Sequence, residues 1–221
     1  MNLRFSSVAI ALITGAATAC ADGYTDTQNE LFDNGFAHLD IASVNVTNDG
    51  TNLYLEATMR GAINAPDWGK YIWFFDTKAG GMTDNPWGRS VTNTVASDYF
   101  IGSWVDGGGA YQLWSNNGAA WTQINQPGVD LSGAGAGTVK YTIALADMGL
   151  SIGDVIFFDL ATTGGGTTDP GVDHLSNPNM STPGWGTAST PGDFLKYQIV
   201  PTPGVGAMLG LAAVAGLRRR R

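Results

Sequence analysis

The side chains that carry most enzymatic chemistry are sparse in this chain of 221 residues, which holds two histidines and one cysteine. His38 and His174 belong to no metal pattern such as H-E-x-x-H and to no G-x-S-x-G nucleophile turn, so a hydrolase triad would have to take its base from an isolated histidine. His174, in Asp169-Pro170-Gly171-Val172-Asp173-His174, reads as a polar loop residue. The nineteen acids are the larger resource. Glycoside hydrolysis asks only for two carboxylates at a suitable separation, and Asp76, Asp84, Asp98 and Asp106 stand near aromatic residues. Most of the aspartates, however, adjoin Gly, Asn or Pro, where a carboxylate bonds to the backbone and stabilises a turn. No catalytic residue is assigned, and a secreted carbohydrate-active enzyme using paired Asp carboxylates is the alternative reading.

Two binding chemistries fit these residue types better. Calcium takes six to eight oxygen ligands at ~2.3–2.6 Å from carboxylates, carbonyls and water. Asp169 and Asp173 are the leading pair for it, because Gly164–Gly166 and Pro170-Gly171 let that loop fold its carbonyls inward; Asp76 and Asp84 are the second pair. Neither pair follows EF-hand or Gly-Gly-x-Gly-x-Asp spacing, so a solvated acidic turn competes with the metal reading. Calcium is the one cofactor that comes into question. Among the seven tryptophans, Trp68, Trp87 and Trp185 adjoin Gly or Pro, which places them on loops and not at alternating core positions. A loop indole near Asp and Asn offers an apolar plate with hydrogen-bond partners, suited to the face of a sugar ring. The competing reading is that these rings cap the ends of the core.

Apolar residues recur with period two, and Gly, Asn, Asp and Pro fill the breaks, which predicts an all-β fold. Val44 and Val46 alternate with polar residues, Asn48-Asp49-Gly50 makes a turn in which Asn and Gly supply positive φ, and Leu53, Leu55 and Ala57 alternate again, as in a β-hairpin. Tyr71-Ile72-Trp73-Phe74-Phe75 is apolar on both faces, as in a central strand covered on both sides. Further strands are expected at 99–104, 110–114, 139–145, 155–160 and 195–199, with one helical turn at 146–150. In the second of the long runs Val139, Tyr141, Ile143 and Leu145 should face inward, Lys140 and Thr142 outward. Gly133–Gly137 has glycines at dinucleotide-motif spacing but is followed by a strand, so it reads as a flexible loop and not a phosphate cradle. Short strands with this punctuation form a two-sheet antiparallel β-sandwich of jelly-roll type.

The two ends are set apart by composition. Residues 1–21 carry Arg4, an apolar stretch from Val8 to Ala17 and a small-x-small site at Ala19-Cys20-Ala21, the plan of a signal helix cut by signal peptidase before Asp22. Cys20 opens a lipoprotein alternative, against which Ala17 stands where a lipobox usually has Leu. Once Cys20 is removed, no disulfide, thiolate or cysteine-bound zinc remains. Without Arg4 and Arg218–Arg221, six basic residues face nineteen acids, a net charge of −13. Such a field argues against nucleic acid. At the other end Pro201, Thr202, Pro203 and Gly204 break the last strand, Val205–Leu217 is an uncharged apolar helix candidate, and Arg218, Arg219, Arg220 and Arg221 follow. The run covers about 20 Å at ~1.5 Å per residue, short for a ~30 Å hydrocarbon core, and the arginines orient it with the domain outside the inner membrane. The organisation is 1–21 signal peptide, 22–199 sandwich and 200–221 tail.

The three-part arrangement of Val200-Pro201-Thr202-Pro203-Gly204, apolar run and arginines resembles the PEP-CTERM sorting signal, with Thr202 where the namesake motif has Glu. The resemblance implies an exosortase-type transpeptidase as partner, which cuts near the proline motif and passes the domain from the inner membrane to the surface of a bacterium making extracellular polysaccharide; a permanent anchor is the alternative. The stretch Ile41–Leu55, with Tyr71–Asp76 and Asn85-Pro86-Trp87, resembles the opening of family 9 carbohydrate-binding modules and related DOMON-like sandwiches. That likeness implies a jelly-roll-like sandwich, sometimes calcium-containing, used for sugar or cofactor binding. The expectation is an exported surface or matrix protein with a non-catalytic glycan-binding or structural domain.

Overall fold

The computed structural model describes residues 21–201. The expected signal segment with Ala19, and the expected tail from Thr202 through Pro203, Gly204 and Arg218–Arg221, lie outside the described residues. Ala21 and Pro201 are exposed and bound the described chain.

Two antiparallel sheets face each other across one main core. The smaller has the order β1 (Asp22–Thr25), β2 (Ile41–Asn48), β3 (Asn52–Met59) and β8 (Thr138–Ala144). The larger runs β10 (Gly171–His174), β9 (Val155–Thr163), β4 (Lys70–Asp76), β5 (Tyr99–Trp104), β6 (Ala110–Asn116) and β7 (Trp121–Asn125). Strand β11 (Leu195–Gln198) pairs with the first half of β9 and β10 with its second half, so the two share one side of the longest strand. The all-β expectation and the antiparallel sandwich are both observed.

Period-two alternation sets which side chains the sheets enclose. In β3 the buried positions are Leu53, Leu55, Ala57 and Met59; in β8 they are Val139, Tyr141 and Ile143, while Thr142 is exposed and Lys140 pairs with Glu56 at 2.8 Å. These two rows meet in register, Leu53 opposite Ile143 and Leu55 opposite Tyr141. Strand β4 behaves as its two-faced sequence predicts. Tyr71, Trp73 and Phe75 enter the core between the sheets, and Ile72 and Phe74 enter a second apolar layer on the outer face of the larger sheet. The loops over that outer face contribute Trp87, Val91 and Phe194.

The hairpin turn differs in mechanism from the expectation. Gly50 is not among the residues with positive φ. The turn is held instead by Asp49, whose Oδ1 accepts the N–H of Thr51 and of Asn52 and whose Oδ2 accepts the Tyr54 hydroxyl at 2.6 Å. These donors pull the Asp49 carboxyl down to about 2, the Tyr54 hydroxyl first. Residues 171–174, read as loop, are strand β10, and β1 and β7 were not expected. The helical turn near 146–150 is a short 3-10 segment at Leu145–Met148, and Gly133–Gly137 is a compact 3-10 turn leading into β8. On the free side of β8, Asp130 exchanges two backbone hydrogen bonds with Lys140, at 3.0 and 3.1 Å.

Candidate functional site

Three loops leave the sandwich at one end and bring five aromatic rings together. Phe32, Phe36 and His38 come from the stretch between β1 and β2, Trp68 from the approach to β4, and Trp185 from the excursion between β10 and β11. Trp185 meets Phe32 at 5.4 Å and Phe36 at 5.5 Å between centroids; Trp68 meets Phe36 at 5.7 Å and His38 at 4.4 Å. The two indoles stand 6.2 Å apart at 60° to one another. They are 36 % and 37 % exposed, while Leu31, Leu39 and Val172 form the buried floor beneath the phenylalanines. Acceptors rim the patch. Asp67 is exposed beside Trp68, and Gly164 leaves the space between Trp185 and Asp169, where a Cβ would stand 2.2 Å from Asp169 Oδ2 and 2.9 Å from the Trp185 ring. Burial lowers the pKa of His38, so the imidazole in this patch favours its neutral form.

Trp87, the third candidate plate, stands elsewhere. Its ring lies flat over Gly102 of β5, where a Cβ would come within 2.2 Å of the indole. Its Nε1–H donates to Gln112 Oε1 at 2.8 Å, and the Arg89 guanidinium sits 5.4 Å from the ring centre. It is a cover for the outer apolar layer, half-buried against Phe100.

The structure places the four proposed metal residues in different settings. Asp169 closes the 164–169 turn by accepting the Gly166 N–H at 2.8 Å. Asp76 ends β4 beside Asp98, and Asp84, exposed, accepts the Trp121 indole N–H at 3.0 Å. Asp173 sits within β10, fully buried, with Asp26 and Glu30 from the far end of the chain. Ligand oxygens of these three carboxylates all lie within 4.8 Å of one another. Asp173 Oδ2 accepts the Ile41 N–H at 2.7 Å and its Oδ1 the His174 N–H at 2.8 Å. Asp40, fully buried, adds a fourth carboxylate: its Oδ2 takes Arg60 Nε at 2.5 Å and the Asn29 N–H at 3.0 Å, and its charge bears on the other three.

Burial is the first cause raising the Asp26 carboxyl to about 7; the Thr27 N–H opposes it, and the charges of Glu30, Asp159 and Asp40 add to it. Asp173 is raised well above the ordinary carboxylate range and Glu30 is raised, in each case by burial first and neighbouring carboxylates after it. A carboxyl with a higher pKa folded than unfolded holds a proton in the native state that the unfolded chain has released, so stability falls as pH rises. For Asp26 the window runs from about 4, its unfolded value, to about 7. In a chelator, the urea midpoint is expected to be lower at pH 8 than at pH 5, by about 2 kcal/mol of stability once the solvent reaching Asp26 is allowed for. Asp26→Asn should flatten that slope; an unchanged slope would place the titrating group elsewhere.

His174, read from sequence as a loop residue, lies on β10 in a hydrogen-bonded chain of relay form. Its Nδ1 is 2.6 Å from Asp159 Oδ2 and its Nε2 is 2.9 Å from Ser189 Oγ. With Nδ1–H donating to Asp159, Nε2 accepts the Ser189 hydroxyl, and Ser189 Oγ accepts the Gly171 N–H at 2.9 Å. Asp159, His174 and Ser189 are each 0 % exposed. Ser189 is also held through its backbone, which exchanges hydrogen bonds with Ser90 and Thr92. A substrate carbonyl has no route to Ser189 Oγ in this conformation, and the chain acts as a clasp joining β9, β10 and the Trp185 excursion. Sequence offered no signal for it, since its members lie 15 residues apart and none stands in a nucleophile motif.

Compared with known proteins, the chain matches no family model, and no curated protein or solved structure is significantly similar to it.

Proposed function

We propose that this is an exported surface or matrix protein, carried out by its N-terminal signal, sorted by its C-terminal tail, and displaying a non-catalytic carbohydrate-binding patch. The aromatic cluster at one end of the sandwich carries the binding part of this reading. Trp68 and Trp185 offer two apolar plates over a third exposed, with Asp67 and Asp169 beside them as acceptors for sugar hydroxyls. Extracellular polysaccharide is the partner, and signal peptidase and an exosortase-type transpeptidase are the processing enzymes. The export part is supported by the composition of the two ends, and strand β1 begins at Asp22, the residue that cleavage after Ala21 would leave first.

The protein recovered from the cell surface is expected to start at Asp22, to lack Arg218–Arg221, and to bind polysaccharide on a glycan array without hydrolysing it. Trp68→Ala combined with Trp185→Ala should weaken binding at least tenfold at about two lost stacking contacts, while Trp87→Ala should lower thermal stability and leave affinity in place. Equal affinity in the double variant would move the site, for instance to the groove on the outer face of the smaller sheet lined by Tyr54, Glu56 and Lys140. Hydrolysis of any bound glycan would favour the paired-carboxylate enzyme instead.

A further inference from the structure

We propose that Asp26, Glu30, Asp40 and Asp173 form a calcium site that fastens the stretch between β1 and β2 onto strand β10. Ligand oxygens of Asp26, Glu30 and Asp173 lie within 4.8 Å of one another, the Asp40 charge bears on all three, and among the described residues Arg60 is the cation paired there, on Asp40 Oδ2. Asp26 Oδ2 and Asp40 Oδ1 are buried and have no hydrogen-bond partner. The Asp40 oxygen is the most telling, because its residue is 0 % exposed and its charge acts on all three of the other carboxylates. Buried carboxylate oxygens without donors are costly, and a hard cation satisfies several of them at once.

The donor set narrows the cation. The oxygens of Asp26, Glu30 and Asp173, all within 4.8 Å of one another, fit inside one calcium shell, whose opposite ligands stand about 5 Å apart at ~2.3–2.6 Å per bond. Magnesium demands a near-ideal octahedron and keeps several of its waters, so it is the poorer match for a site built from protein carboxylates. The backbone N–H groups of Ile41 and His174 take one lone pair on each Asp173 oxygen and leave the others free for a metal. Water and backbone carbonyls would complete the shell.

The ligands divide unevenly along the chain: Asp26, Glu30 and Asp40 belong to one stretch, and Asp173 is on β10 at the end of the larger sheet. Phe32 and Phe36, which back Trp68 and Trp185, belong to that same stretch. Calcium would therefore brace the aromatic patch from behind, and the site stands whether or not the patch binds sugar.

Titrating calcium into the chelator-stripped full-length protein by calorimetry is expected to give one ion per chain. A hundredfold excess over Kd should raise Tm by roughly 5–10 °C and change tryptophan fluorescence. Asp26→Asn with Glu30→Gln should weaken calcium binding about a hundredfold. Because it removes repulsion, the double variant should still fold in chelator with a Tm no lower than the wild type, which separates lost binding from lost structure. Asp169→Asn should keep the full response. The proposal is overturned by absence of calcium binding at millimolar concentration, by an undiminished response in the double variant, or by an equal effect of magnesium at equal concentration.

Discussion

Ile143→Asp is expected to leave the domain unfolded at room temperature, with loss of the near-UV signal of its tryptophans. Ile143 is 1 % exposed, lies opposite Leu53, and belongs to the buried row that β8 presents to the core with Val139 and Tyr141. A carboxylate there would sit in the main apolar core, and an unpaired buried charge costs several kcal/mol against a total stability of ~5–15 kcal/mol. Protonation would reduce the penalty without removing it, since a neutral carboxyl still needs hydrogen bonds and leaves the volume of the sec-butyl group partly empty. Thr142→Asp, one residue away on the exposed side, is the matching control and should change Tm little. A melting temperature for Ile143→Asp close to that of the control would mean that the row faces solvent and that the register is wrong.

The second large effect is expected at Asp159. This fully buried carboxylate accepts from His174 Nδ1 at 2.6 Å and from the Ser176 N–H at 3.0 Å. Asp159→Ala strands both donors in an enclosed place and loosens the Ser189 end of the chain, a loss of about 3–5 kcal/mol. Asp159→Asn should cost less, because one amide oxygen still serves one donor. Ser189→Ala should cost least, removing a single hydroxyl whose partners are His174 Nε2 and the Gly171 N–H. Urea midpoints in that order would establish the clasp. If all three variants unfolded at the wild-type midpoint, the chain would carry no structural role, and its relay form would call for a search for bound substrate.

Where the chain announces its structure in local pattern, the sequence reading and the fold agree. The alternation in β2, β3 and β8 names the inward faces, and the unbroken apolar run in β4 signals cover on both sides, which the loops carrying Trp87 and Phe194 provide. Strands whose residues do not alternate escaped. Gly171-Val172-Asp173-His174 is buried throughout, yet two of its four residues are polar and bond to Ile41, Asp159 and Ser189 elsewhere in the sequence, so no periodicity marks it. The flanking glycines of Trp68 and Trp185 correctly place them on loops, but Pro86-Trp87-Gly88 has the same local look and a different fate. What separates them is the missing side chain at Gly102, which only the folded sheet brings under the Trp87 ring. The acidic cluster was out of reach for a related reason. Asp173 was singled out by its neighbours in sequence, while the carboxylates that stand beside it come from positions 26, 30 and 40.

The Asp130–Lys140 bridge has a further consequence for a protein at high local concentration. A sheet whose border strand is long and bare can add the border of another molecule, and repetition of that step gives fibres. Strands β1, β7, β10 and β11 at the borders have four or five residues each. Strand β8, with seven, is the long one in such a position. Asp130 occupies the backbone groups at its middle, and the Lys140 side chain is already paired with Glu56. Toward its ends the Thr138 N–H donates to Gly133 and the Thr142 carbonyl accepts the Tyr111 hydroxyl, so β8 presents no continuous bare template for the edge of a second copy.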